Sequence, residues 1–133
     1  MKFPYKKYGA GVVRPVIPVT LCRGEKKVRY EVLVDSGADL CVFHAEIGEL
    51  LGIEITKGKA HEVFGVGGKA SVYYLHKIQI EVGGWPYAIE AGFMPNVSGR
   101  AMHHGLVGQK GFFEHFKVIF DKSSESIELK LIK

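Results

Sequence analysis

Apolar and polar positions alternate with period two over much of this chain. From Lys27 to Glu31 the polar Lys27, Arg29 and Glu31 bracket Val28 and Tyr30, and Val32-Leu33-Val34 is then apolar at every position. That pattern predicts a strand that starts half-solvated and runs into a core. Ile78, Ile80 and Val82 alternate with Lys77, Gln79 and Glu81, Gly83-Gly84 turns the chain, and Tyr87, Ile89, Ala91 and Phe93 alternate back, which predicts a β-hairpin. Lys57 to Leu75 predicts another, with the Gly-rich Val63-Phe64-Gly65-Val66-Gly67-Gly68-Lys69 as its mobile tip. Val12 to Leu21 is β-branched but carries Pro15 and Pro18, which lack a ladder donor, so it reads as an edge or irregular strand before the turn Arg23-Gly24-Glu25-Lys26. Further strands are expected at Val118 to Phe120 and Ile127 to Leu131, on either side of Lys122-Ser123-Ser124-Glu125.

Helical spacing occurs twice. Phe43, Ile47, Leu50 and Leu51 fall at i, i+4, i+7 and i+8 with Gly52 as the stop, and Phe112, Phe113 and Phe116 follow Gly105-Leu106-Val107-Gly108. The order of hairpin, fully apolar strand ending in Gly, and short helix thus appears twice, which suggests an internal structural duplication. The fold class is all-β with one or two short helices.

Composition narrows the functional classes. With 133 residues, 47% of them apolar, the chain suits one globular domain spanning residues 1–133. No run reaches the roughly 20 apolar residues of a membrane helix, and MKFPYKKYGAGVV lacks an uninterrupted apolar stretch before a cleavage site, so neither membrane nor secretion is expected. The net charge of +4 is spread along the chain, a poor basis for binding nucleic acid. Two cysteines, Cys22 and Cys41, fit reduced thiols in a cytoplasmic protein better than a disulfide scaffold or a zinc knuckle.

One residue breaks the hydrophobic logic. Asp35 directly follows the apolar Val32-Leu33-Val34, where an ionised carboxylate costs several kcal/mol unless it is hydrogen-bonded or paired. Ser36 and Gly37 supply a hydroxyl and a backbone without Cβ, so the chain can turn sharply and aim N–H groups at the carboxylate. A simple Asx turn closing a loop explains the same tripeptide.

The wider context resembles the retropepsin-like aspartic protease family, the retroviral-type proteases and their single-domain cellular relatives. Val32-Leu33-Val34-Asp35-Ser36-Gly37-Ala38-Asp39 is similar to the family's apolar-apolar-Asp-Ser/Thr-Gly-Ala signature, Val63 to Gly68 to its Gly-rich flap tip, and Leu106-Val107-Gly108 to its second apolar-apolar-Gly element. The order and spacing agree over about residues 12 to 131. The resemblance implies a small closed β-barrel-like fold with half an active site per chain. Only one Asp-Ser-Gly is present, and neither Asp39 nor Asp121 sits in a second one, so an enzyme of this type requires a two-fold homodimer.

Carried over, the resemblance makes Asp35 the catalytic carboxylate, with Ser36 bonding across the dimer and Gly37 presenting backbone near the shared carboxylates or the substrate. Ala38 and Asp39 would bind substrate main chain, Gly65, Val66, Gly67 and Gly68 would close over it, and Leu106 and Gly108 would pack beneath the Asp35 turn. The implied activity is aspartic endopeptidase on extended peptide segments, with no cofactor and no metal. Retroviral members usually carry Arg where this chain has Gln109, followed by Lys110; an Asp39–Lys110 pair would replace that arrangement, or Asp39 would stay free for substrate. Ser36 in place of Thr keeps the hydroxyl.

Other readings are weaker. Gly65-Val66-Gly67-Gly68-Lys69-Ala70-Ser71 lacks the spacing of a phosphate loop and opens no amphipathic helix. His103-His104, with His44, His61, His76 and His115 elsewhere, could suggest a metal, but adjacent histidines in an extended segment point to different faces and loop histidines are most often solvated. Cys41 is either a redox switch beside the turn or a small half-buried residue at a helix start. The main alternative in another class is a dimer of the same fold that binds extended peptides as an adaptor without cutting them. Two close carboxylates would repel one another to no benefit in such a module, which favours the enzyme.

Overall fold

The structure is a computed structural model that describes residues 1–64, 70–95 and 104–132, with only the backbone of Phe64 included. Its strands are β1 (Lys2–Pro4), β2 (Lys6–Lys7), β3 (Val13–Arg14), β4 (Val16–Arg23), β5 (Lys26–Val34), β6 (Val42–His44), β7 (Lys59–Phe64), β8 (Ala70–Val82), β9 (Trp85–Met94), β10 (Gly105–Val107), β11 (Phe116–Asp121) and β12 (Ser126–Leu131). One helix, α1 (Ala45–Leu50), follows β6, and a 3₁₀ turn spans Ile55–Lys57.

The main sheet has the order β4-β5-β10-β6-β9-β8-β7, and a further β4–β8 pairing closes it on itself. Its interior is apolar: Ile17, Leu21, Val32, Phe43, Ile80, Ala91, Phe93 and Val107 are fully buried. Phe43 packs edge-on against Tyr30 and Phe93 at centroid distances of 5.7 and 5.8 Å, the offset geometry that ring quadrupoles favour. A smaller sheet, β1-β12-β11, carries the chain ends. It buries Ile127, Leu129 and Phe116 on one face.

The two apolar runs singled out in the sequence lie side by side. β5 and β10 are parallel neighbours, with Val32, Leu33 and Val34 opposite Gly105, Leu106 and Val107. Along β5 the side chains pass from exposed and half-buried to buried at Val32 and Val34, with Leu33 half-buried between them, so the expected entry of this strand into the core is what the fold shows. Gly105 is required at the crossing, because a Cβ there would come within 2.6 Å of the Tyr30 ring and 2.7 Å of Phe43.

Several expectations need correction. Phe43 belongs to β6 and not to the helix, and Leu50 at the helical position i+7 is 62% exposed; α1 instead packs through Ala45 and Gly48, whose missing side chain lets it approach Phe93 and Ile55. Gly52 does end the helical region, at φ +78°. The second helix is a single turn over residues 112–115, closed by the Phe116 N–H donating to the Phe112 carbonyl at 3.1 Å; Phe112 and Phe116 are nevertheless core residues and pack at 5.2 Å. β4 is an edge only near Pro18. From Thr20 to Cys22 it pairs with β8 as well as β5, and the two prolines sit before that doubly paired stretch. Among the described residues no helix is long and apolar enough to cross a membrane.

Candidate functional site

β5 ends at Val34, and the ladder to β10 continues for one more residue: the Asp35 N–H donates to the Val107 carbonyl at 3.0 Å. The chain then turns, with the Ala38 N–H donating to the Asp35 carbonyl at 3.2 Å and the Gly37 N–H donating to Asp35 Oδ1 at 2.9 Å. Asp35 is half-buried while Ser36 and Gly37 are exposed. One carboxylate oxygen is therefore anchored by the turn at the rim of the apolar ring. Gly37 fits because a Cβ there would lie 3.3 Å from that same oxygen.

The segment after the turn is stitched to the chain beyond β10. The Gln109 N–H donates to the Ala38 carbonyl at 2.8 Å, and the Lys110 N–H to the Asp39 carbonyl at 2.9 Å. Gln109 Nε2 reaches back across the turn to donate to the Ser36 carbonyl at 2.7 Å. Gly108 makes the close approach possible, since a Cβ at this position would meet the carbonyl oxygens of Ala38 at 2.5 Å and Leu40 at 2.7 Å. Gly108 thus packs against the segment following Asp35, as expected, and Leu106 lies between Leu33 and Val42.

The expected Asp39–Lys110 ion pair does not form among the described residues; the two residues meet through main chain, and the Asp39 side chain is exposed. The position occupied by Gln109 does the tying instead, through its amide. Cys41 is fully buried, its thiol donates to the Lys110 carbonyl at 3.4 Å, and burial pushes it up to about 11. A thiol so shielded is inert at neutral pH, which leaves the packing role and removes the redox switch. Both cysteines are free and buried.

Of the histidines expected as solvated loop residues, only His104 is among those described, and it is not solvated. His104 is buried, and His61 stacks on Tyr73 at 5.7 Å and 14° between planes. Among the described residues no group of His, Cys, Asp and Glu is placed to hold a metal. The candidate residues Gly65, Val66, Gly67 and Gly68, like His103, lie outside the described residues. The arms of their hairpin, β7 and β8, pair in register from Lys59–Leu75 to Phe64–Ala70.

Sequence reasoning missed a cavity of about 530 Å³ between these arms and the segment after the turn. Leu40, Tyr73, Leu75 and Ile89 give it apolar walls, with Lys77 and Lys110 among the charged residues at its margin. The usable signal was present: Leu40 directly follows Asp39, and His61 and Tyr73 face one another across the hairpin.

An Asp-Ser-Gly turn at the end of an apolar strand, braced by a second apolar strand ending in Gly, inside a closed mostly-β sheet, defines a retropepsin-like aspartic protease fold. Solved structures agree. The chain is similar to a retropepsin-like aspartic protease from Rickettsia conorii at 17% identity and a TM-score of 0.68, covering 97% of this chain and 89% of that one. It is similar to the retroviral protease-like domain of Ddi1 from Leishmania major at 17% identity and a TM-score of 0.63, covering 91% of each. The family model described as aspartyl protease matches residues 17–110, and the chain belongs to that family. No curated protein sequence matches it.

Proposed function

We propose that residues 1–133 form one domain that works as an aspartic endopeptidase, with Asp35 contributed by each subunit of a homodimer. The observation that carries this reading is Asp35 itself: a carboxylate set at the mouth of an apolar ring with one oxygen fixed by the Gly37 N–H, in a chain with a single Asp-Ser-Gly. One such group is half of the required machinery. Two carboxylates held close share a proton, because both cannot ionise at short range. The ionised member takes a proton from water as that water attacks the peptide carbonyl, and the protonated member gives its proton to the carbonyl oxygen. As the tetrahedral intermediate collapses, the member that took water's proton gives it to the amide nitrogen and the C–N bond breaks. The other member takes a proton from the gem-diol, which releases the amine and the carboxylic acid and restores the one-proton dyad.

In this reading Ser36 holds the two turns together across the axis, and Ala38 and Asp39 bind the substrate main chain. The β7–β8 hairpin covers the cleft, with Gly65, Val66, Gly67 and Gly68 over the substrate. The cavity beside Leu40 accepts an apolar side chain of an extended peptide. Reduced, buried thiols suit a cytoplasmic setting.

The test is mass-spectrometric cleavage of an unfolded protein mixture from about pH 4 to 7 by concentrated chain, with Asp35→Asn beside it. Asn keeps an oxygen to accept the Gly37 N–H, so the variant should fold and lose at least about 10²-fold in rate. The wild-type rate should be bell-shaped in pH, since the dyad works with a single proton. Equal cleavage by Asp35→Asn defeats the assignment. A folded dimer that binds extended peptides but cuts none points to the adaptor.

A further inference from the structure

We propose that His76 is a positioning residue for the β7–β8 hairpin: its ring pins the start of β7 to the body of the fold and so sets how readily the hairpin closes over substrate. The inference rests on the reading above that this hairpin covers the cleft, and it names what holds the cover in place.

The two arms of the hairpin are attached unequally. β8 is held by β9 from Tyr74 to Val82 and by β4 from Gln79 to Glu81. Among the described residues β7 pairs with β8 and with no other strand. From the His61–Tyr73 pair outward, the arms therefore hold only each other. Residues His76 to Ile78 of β8 lie between the β7 and β4 ladders, so that edge carries no strand just where β7 enters the sheet. What fixes the start of β7 is the segment that precedes it.

That segment is the 3₁₀ turn Ile55–Lys57 followed by Gly58. Ile55 is buried beneath α1, where a Cβ on Gly48 would come within 2.7 Å of its Cδ1, so the turn begins in the core. The Ile55 carbonyl accepts the Gly58 N–H at 3.2 Å and lies 2.8 Å from His76 Nε2. A carbonyl only accepts, so Nε2 carries the proton and donates it. The imidazole also packs edge-on against Phe93 at 5.9 Å. Gly58 passes directly over this ring: a Cβ there would lie 2.5 Å from Nε2 and 2.4 Å from the Leu75 carbonyl oxygen. With φ at −74°, Gly58 is used for its missing side chain and not for backbone freedom. Among the described residues the His76 bond is the hydrogen bond that joins the turn to β8, since the β7 ladder starts only at Lys59–Leu75. Losing it loosens a local opening of the arm. Contacts that a closed hairpin makes equally with substrate and transition state are then made less often, which raises KM and spares kcat.

Amide hydrogen exchange by NMR, with peptide-cleavage kinetics beside it, tests this on wild type, His76→Met, His76→Gln and Gly84→Ala. Met and Gln are equal in length, but only Gln offers an N–H at the reach of Nε2. The two-residue turn Gly83-Gly84 closes at the Val82–Trp85 pair, so even-numbered residues of β8 bond to β9 and odd-numbered ones to β7. The reporting amides on β7 are therefore those opposite Leu75, Tyr73 and Ser71, namely Lys59, His61 and Val63. In His76→Met they should exchange about fivefold faster, the worth of one hydrogen bond. KM for an extended peptide should rise by a similar factor with kcat within about twofold, and His76→Gln should recover most of both losses. Gly84→Ala lowers global stability through a strained turn with nothing near its Cβ, and it should leave the β7 amides and KM as in wild type. Wild-type exchange of these amides in His76→Met, or His76→Gln behaving like His76→Met, overturns the pin. So does Gly84→Ala speeding them equally, since β7 would then open only with the whole fold. A fall in kcat at unchanged KM overturns the link to closure. A wild-type chain that cleaves nothing overturns the endopeptidase reading, and the exchange comparison still decides whether His76 holds the arm.

Discussion

Replacing Gly108 with Ala tests the packing that braces the Asp35 turn. The added Cβ would lie 2.5 Å from the Ala38 carbonyl oxygen and 2.7 Å from that of Leu40. Ordinary carbon–oxygen contacts begin beyond 3 Å, so two main-chain segments must separate by about half an ångström or more, and neither is the yielding tip of a side chain. Overpacking of this kind costs about 1–3 kcal/mol. The displaced Ala38 oxygen also accepts the Gln109 N–H at 2.8 Å, and losing that bond adds about 1 kcal/mol. The total of about 2–4 kcal/mol corresponds to a fall in Tm of about 8–16 °C for a domain of this size. Gly84→Ala is the control: Gly84 has φ +83° but nothing within 4 Å of a Cβ, so it should lose only about 1–2 kcal/mol of backbone strain. Both are read by urea unfolding and calorimetry, with peptide cleavage measured below the transition. Gly108→Ala should lose cleavage even where it is folded, because Ala38 is three residues from Asp35. If Gly108→Ala proves no less stable than Gly84→Ala, the account of this contact is wrong.

Gln109→Ala removes the hydrogen bond to the Ser36 carbonyl from an exposed side chain, so stability should fall by less than about 1 kcal/mol while the cleavage rate falls more steeply; equal rates would show that the turn needs no such tie. Cys41 and Cys22 should both resist a thiol reagent in the native state and react on unfolding, since both are buried, and fast native labelling of Cys41 would revive the redox reading. The raised Cys41 thiol stabilises the fold below its ordinary value of 9.0, and that contribution should be lost as pH rises toward about 11. Cys41→Ala should flatten this alkaline decline in a urea-midpoint series. Hydrogen bonds from the Ser123 hydroxyl and from Ser124 hold Asp121 down to about 2 against an ordinary 3.8; the contribution is present above 3.8 and lost as pH falls toward about 2. Ser123→Ala should weaken the acid dependence in the same assay.

What could be read from the sequence was what local periodicity encodes. The hairpin β8–β9, the descent of β5 into the core and the strands β11 and β12 all carry a clean alternation and all are found. But β8 runs unbroken from Ala70 to Val82 and pairs with both β7 and β9, so the two expected hairpins share one strand, and β11 extends beyond Val118–Phe120 to Phe116–Asp121. The Asp35 turn was equally legible, because an acidic residue at the end of an apolar run demands a local hydrogen-bonding answer, and Gly37 supplies it. Periodicity misled where spacing is shared by two states. Phe43 and Leu51 are both buried at helical intervals, yet the first is held by β6 pairing parallel to β9, a contact of distant sequence origin that no local pattern shows. Phe112 and Phe116 are one helical turn apart, but a single turn already brings both rings to the core, and β11 begins at the second of them.

The site itself was legible as residues and not as architecture. Sequence spacing can show that Gly108 follows an apolar pair, but the need for Gly arises only when β10 is laid beside β5 and the chain beyond it crosses the carbonyls of Ala38 and Leu40. Gln109 illustrates the same point from the other direction. Viewed as a substitution for Arg, it implied a charge missing from the turn and a search for a replacement ion pair. In the fold its amide meets the Ser36 carbonyl, a neutral acceptor that needs a donor and not a cation. Among the described residues the Asp39 carboxylate has no ion-pair partner and stays exposed, next in the chain to Leu40 of the cavity wall, where in the proposed enzyme it is available to the main chain of an extended substrate.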